Sequence, residues 1–249
     1  MSKNDIEMNG ASNEFARCWT AAGRHLNASA QGEIRSWLRA HLNPPYLEHL
    51  SFRLGNQLFF VRIEDDDDQL EVPGNRMGLE MVANACAGYA CLMSMKRGKK
   101  GWVPVYPGWG LVDLATGRLI NPAALITDDE IEMTDWELQD FAVQVVRSEL
   151  EDNGRKLMSW QSNPEVNPAI WFVGDSGPEW VVVRAVRHPE DGAAVPDNIH
   201  EIAEHCSHMS RVGHFASVGV VCMDGFQTGE DKLLRGYRLM PIFSGLTSI

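Results

Sequence analysis

Histidine is dense in "HEIAEHCSH", residues 200–208. On a helix, Glu201, His205 and His208 fall at spacings of four and three, so they share one face and could hold a divalent ion with one outside ligand. His200 and His205 are five apart and point to different faces, unlike the four-apart zinc pair of metalloproteases. Zinc sites in proteins usually draw ligands from more than one element, and only His214 lies close by. The expected role is therefore a solvated face opposite Ile199, Ile202, Ala203 and Cys206. "KRGKKG", Lys96 to Gly101, is the dense basic cluster of the chain. It reads as a turn kept soluble by its cations. If nucleic acid is bound, Lys96, Arg97, Lys99 and Lys100 are where its phosphates would sit, with Trp102 as a stacking ring.

"EDDDDQLE", residues 64–71, lacks the alternating donors and the glycine of a calcium loop and reads as a connector. Arg62 and Arg184 each interrupt an apolar strand run. Each must reach water or find a carboxylate, because an unpaired buried charge is costly. For Arg184 the expected partners are Glu137, Asp140 or Glu179, in a structural ion pair. "WVPVYPGWG" carries Trp102, Tyr106 and Trp109 between prolines, and core packing is their expected role. No phosphate-cradling glycine loop, nucleophile-elbow serine or zinc-protease helix is written in the chain.

The elements that would position these groups follow from periodicity and turn chemistry. With 249 residues, 44% of them hydrophobic, the chain can bury the core of one large domain or two smaller ones. Its net charge of −12 argues against gripping nucleic acid over the whole surface. Five cysteines without a C-x-x-C pair argue against a disulfide framework. The N-terminus lacks a signal-peptide pattern, and no apolar run approaches membrane-spanning length, so a soluble cytoplasmic protein is expected.

Residues 1–10 are polar and read as a flexible N-terminus. Helices are expected over 12–25 and over 31–42, the second from Ile34, Trp37, Leu38 and Leu42 at helical spacing. Two strands joined at Gly55-Asn56, a helix over "NRMGLEMVANAC" and a strand over "YACLMSM" follow. An irregular strand pair over "WVPVYPGWGLVDL" leads to the end of the half. Thr134 and Glu137 form a capping box that opens a long helix, and Gly154 stops it. After it come a strand, a hairpin turning at Asp175–Pro178, a helix over "DNIHEIAEHCSHMSR", and strands over "HFASVGVVCM" and "LLRGYRLMPIF".

The halves repeat one order, and Cys86/Cys206, Arg118/Arg238 and Arg62/Arg184 recur at nearly constant spacing. The expected fold class is α/β (α+β): an N-terminal unit over 11–127 and a related C-terminal unit over 128–249, each helix, β-hairpin, helix and strand, packed pseudo-symmetrically.

This order, with a second hairpin strand ending "VVVRAVR", is similar to the core of the PD-(D/E)XK nuclease-like (restriction-endonuclease-like) superfamily. The likeness is clearest over 134–223 and fainter over 31–96. The resemblance implies a Pro-Asp at the start of the first hairpin strand and an acid-x-lysine at the end of the second, around a divalent metal. The chain departs from that pattern. Ala169 stands at the aspartate, Arg184 or Ala185 at the acid, and Arg187 or Val186 at the lysine; in the first half Glu64 alone is in place.

The expectation is thus a non-catalytic binding or accessory protein of a bacterial multi-component system, acting through protein contact on a degenerate nuclease-like scaffold. It needs no cofactor, takes a protein partner, admits nucleic acid only through a local basic patch, and is free to form homo-oligomers. Two other readings stand beside it. One is a divergent nuclease or phosphodiesterase using Glu137, Asp175, Glu179 and Arg184 or Arg187 with Mg²⁺. The other is a secretion-chaperone-like binding module.

Overall fold

The computed structural model describes residues 12–31, 50–190, 192–223 and 232–249, together with the backbone of 36–39. The expected flexible segment 1–10 lies outside the described residues. The chain divides into two compact units, residues 1–129 and 130–249.

In the first unit, α1 (Asn13–Ser29) is capped by Ser12, whose hydroxyl accepts from the Phe15 amide. One stripe of α1, Phe15, Cys18, Trp19, Ala22 and Leu26, is buried. The helix expected over 31–42 is not formed. Ser36–Arg39 is instead a strand, β1, paired antiparallel with β2 (Leu50–Leu54), and the residues on either side of β1 lie outside the described ones. Four apolar residues at helical spacing are too short a signal to outweigh the hydrogen bonds of a sheet edge.

The hairpin from β2 to β3 (Gln57–Asp65) turns at Gly55, whose φ of +57° suits glycine. α2 (Arg76–Ala85), capped by Asn75, crosses over to β4 (Tyr89–Gly98), which runs parallel to β3. β5 (Gly101–Pro104), β6 (Leu111–Asp113) and β7 (Leu119–Ile120) complete a sheet of order β1-β2-β3-β4-β6-β7, with β5 folded back on β4. A 3₁₀ turn over Pro122–Leu125 follows.

In the second unit, α3 (Asp135–Asp152) opens with the expected Thr134–Glu137 capping box. β8 (Lys156–Trp160), β9 (Ile170–Gly174) and β10 (Gly177–Arg187) form an antiparallel meander. α4 (Ile199–Cys206) crosses over to β11 (Gly213–Cys222), parallel to β10. β12 (Leu239–Phe243) pairs with β11, as does the short β13 (Thr247–Ser248).

Both units therefore share one topology: a helix, three meandering strands, a crossover helix, and a parallel strand flanked by an antiparallel one. Each sheet is covered on both faces. Val181 and Val183 meet Ala142, Val143 and Val146 of α3, whereas Trp180 and Val182 meet Ile202 and Cys206 of α4. Two-sided burial explains why β10 reads as a continuous apolar run rather than an alternating one.

Register fixes which residues correspond. Arg62 stands opposite Leu92, and Arg184 opposite Ser217; a glycine, Gly88 just before β4 or Gly213 at the start of β11, stands four residues before that partner. Arg62 and Arg184 are thus equivalent. The other two pairs matched by spacing are not. Counted from the capping asparagines, the buried Ala83 of α2 corresponds to Cys206 of α4, so Cys86 does not. Arg118 lies in the turn between β6 and β7, whereas Arg238 precedes β12. Loops of unequal length make equal spacing a poor guide to equivalence.

Candidate functional site

Glu137 was one of the acids a metal-dependent reaction would need. Residues 131–133 and 233–235 lie side by side through the Glu132–Leu234 bridge and the amides of Met133 and Arg235. That contact brings Arg235 against the first turn of α3. Its Nε donates to Glu137 Oε1 at 3.0 Å and its Nη2 to Oε2 at 2.9 Å, and neither side chain is more than 4% exposed. The same carboxylate accepts from the Thr134 amide at 2.9 Å. Glu137 is occupied by structure on every side.

The remaining candidate acids are also paired. Asp175, in the β9–β10 turn, is bound by Arg155, which holds its carboxyl below the ordinary range. Glu179 meets His214 Nε2 at 2.7 Å. In the first unit Glu64 accepts from Arg76 and from Arg62, and its hydrogen bond to Arg76 pulls its carboxyl below the ordinary value in spite of burial. Glu179 and Arg187 lie eight residues apart on one strand, about 26 Å at strand rise, so these groups do not converge. Magnesium requires several oxygen ligands at one point, and these residues do not fit it. Among the described residues no three His, Cys, Asp or Glu side chains are grouped to hold a metal.

The carboxyl end of β10 is concave. A cavity of about 220 Å³ is lined by Arg184, Arg187, Gln139, Leu138, Pro164 and Val186, with Asp135, Ala185 and Glu190 completing it. Crevices at the carboxyl ends of parallel strands are where α/β sheets bind ligands. Arg187 donates through Nη1 to Asp135 at 2.7 Å and through Nη2 to the Met133 carbonyl at 2.9 Å, while its buried Nε faces Glu132 at 3.7 Å, beyond hydrogen-bond reach. Arg184 is half-buried, and burial lowers its affinity for a proton. Its Nη1 donates to Asn167 Oδ1 at 2.9 Å and to its own strand's Val183 carbonyl at 2.8 Å, both neutral acceptors. Among the described residues none of the expected carboxylates, Glu137, Asp140 or Glu179, reaches it.

Glu201, His205 and His208 are exposed, and His208 lies beyond the end of α4. The His205 and His208 rings meet edge to face at 5.7 Å. The basic cluster is better organised. Arg97, Lys100 and Trp102 join Glu14, Arg17 and Arg24 of α1 along a groove of about 810 Å³, whereas Lys96 and Lys99 do not line it. Glu14 ties the floor together: it accepts from Trp102 Nε1 at 2.7 Å and pairs with Arg97 at 2.9 Å. The Trp102 ring is 9% exposed and is covered by the Arg97 guanidinium at 5.2 Å, so it offers no open face for stacking.

Sequence reading missed Arg235, Asn167, Arg17 and Arg24. The α1 pair could have been found from the i, i+7 spacing of two arginines on the exposed stripe of an amphipathic helix. Arg235 carries no local signal, because its partner is 98 residues away. No curated protein and no solved structure matches the chain. Residues 136–249, nearly the whole of the second unit, match the model of a family described as a domain of unknown function (DUF8840).

Proposed function

We propose that the chain is a non-catalytic, cytoplasmic binding protein on a degenerate nuclease-like scaffold, and that its first unit holds an acidic peptide segment of a protein partner. One observation carries the non-catalytic reading: Glu64, Glu137, Asp175 and Glu179 are each already bound to an arginine or histidine of the chain. A carboxylate engaged in that way is a poor ligand for a cation and a poor base. The α1–β5 groove supports the binding reading, since Arg17, Arg24, Arg97 and Lys100 face it against one acid, Glu14, in a chain of net charge −12.

A peptide fits that groove better than a nucleic acid does. Base stacking needs an uncovered ring, and Trp102 is covered. A long polyanion also meets the repulsion of the whole acidic chain, whereas a short acidic segment meets only the local cations. The test is a titration with a fluorescent Glu-rich peptide and a single-stranded oligonucleotide of equal charge. Peptide binding should weaken with salt and drop about tenfold in Arg24→Gln/Lys100→Gln. Tighter binding of the oligonucleotide, or its turnover in Mg²⁺ or Mn²⁺, would defeat the proposal.

A further inference from the structure

The two units place one arginine at one position and treat it differently. In the first unit Arg62 is neutralised two residues along its own strand by Glu64, at 3.1 Å. Residues two apart on a strand share a face, so the counterpart of Glu64 in the second unit is Val186. The acid is gone and the guanidinium has stayed. Among the described residues Arg184 Nε and Nη2 donate to nothing, while Nη1 is anchored on Asn167 and Val183. The free edge belongs to a group that lines the cavity at the end of β10, beside Leu138, Pro164, Ala185 and Val186.

We infer that this cavity is a binding site for a carboxylate carried on a short aliphatic stem, with Arg184 as its anchor. A guanidinium edge presents two parallel N–H groups, which match the two oxygens of a carboxylate. The apolar lining suits the stem. A volume of about 220 Å³ admits a group the size of a glutamate side chain. Charge selects a monoanion over a phosphate dianion. Arg187 is already paired with Asp135 and Glu132, which leaves Arg184 to match a single negative charge, and exposed Glu190 at the rim repels any further one. The site lies in the second unit and is independent of the groove proposed above.

Two sources carry this chemistry: a free short-chain acid and the glutamate side chain of a peptide. The experiment is a ¹H–¹⁵N chemical-shift titration of the full chain with butyrate, N-acetyl-glutamate N-methylamide, butyramide and inorganic phosphate. One of the two carboxylates should saturate the resonances of residues 184–187 and 138–139, and the tighter of the two names the source. Butyramide should bind at least about tenfold more weakly, having lost the charge. Arg184→Gln should weaken binding by about tenfold or more, Arg184→Lys by less, and Glu190→Gln should tighten it. Val186→Glu, which restores the acid that Glu64 gives Arg62, should abolish binding while leaving the melting temperature in place or raising it. Saturation by neither carboxylate, equal binding by Arg184→Gln, or tighter binding of phosphate would each overturn the inference.

Discussion

Glu137→Gln separates a structural acid from a catalytic one. The substitution keeps the shape of the side chain and an oxygen for the Thr134 amide, but it removes the charge facing Arg235. The two side chains are 4% and 1% exposed, so the guanidinium loses a carboxylate at a buried position. Removing one partner of a buried pair costs about 3–5 kcal/mol. For a unit of this size 1 kcal/mol corresponds to about 4 °C, which puts the expected drop in Tm near 12–20 °C. Differential scanning calorimetry of the full chain reads it, with the affected transition assigned to the second unit by hydrogen exchange along α3. Glu137→Ala should fall about 1 kcal/mol further, because the capping contact goes as well. Adding Arg235→Met to Glu137→Gln should recover much of the loss, since neither position of the pair then carries a buried charge. A shift below about 4 °C in Glu137→Gln, or no recovery in the double variant, would refute the reasoning.

Glu64 carries the pH dependence of the first unit. Arg76, helped by Arg62, lowers its carboxyl from the ordinary 4.5, so its stabilisation is complete above that value and is lost as pH falls through the lowered one. Wild type and Glu64→Gln should therefore differ by about 1 kcal/mol in urea melts at pH 7 and converge in acid; a gap that persists in acid would contradict this. Gly213→Ala should cost about 2 kcal/mol or more in the same melts, because its methyl would stand 2.2 Å from the buried Trp180 ring; unchanged stability would mean that the ring moves freely. All five cysteines are buried free thiols, and burial pushes Cys18 and Cys91 up to about 12. Thiol reagents should label the native protein slowly and the unfolded chain fully, and fast stoichiometric labelling of the native form would argue against the described cores.

What the sequence makes legible here is whatever is decided locally. Thr134 and Glu137 announce the start of α3 because both halves of a capping box lie within four residues, and Gly55 announces its turn because a positive φ selects glycine. The strand at 36–39 was lost for the opposite reason. Its hydrogen bonds go to β2, across a gap in sequence that no local period reflects. The candidate site divides in the same way. Arg184 is conspicuous as a charge inside an apolar strand, but that no described acid meets it depends on where Glu137 and Glu179 are engaged, with Arg235 and His214. The groove beside Trp102 was half visible, since "KRGKKG" is contiguous whereas Arg17 and Arg24 arrive on α1.

Repeating one topology twice lets a position be judged by its copy. Arg62 shows what an arginine at this place in the strand needs to be part of the scaffold: an acid two residues on, backed by the Val72 and Pro73 carbonyls. Arg184 keeps the backbone setting, the parallel partner strand and the starting glycine, so the scaffold alone does not account for an edge that no described carboxylate meets. A half-buried cation with no counter-ion among the described residues is a cost to folding that an aliphatic residue at 184 would avoid. The cost is offset when an anion from outside enters the cavity, because ligand binding to the native state adds directly to stability. On that argument the second unit carries Val186 where the first carries Glu64, and the proposed ligand supplies the carboxylate that Val186 does not.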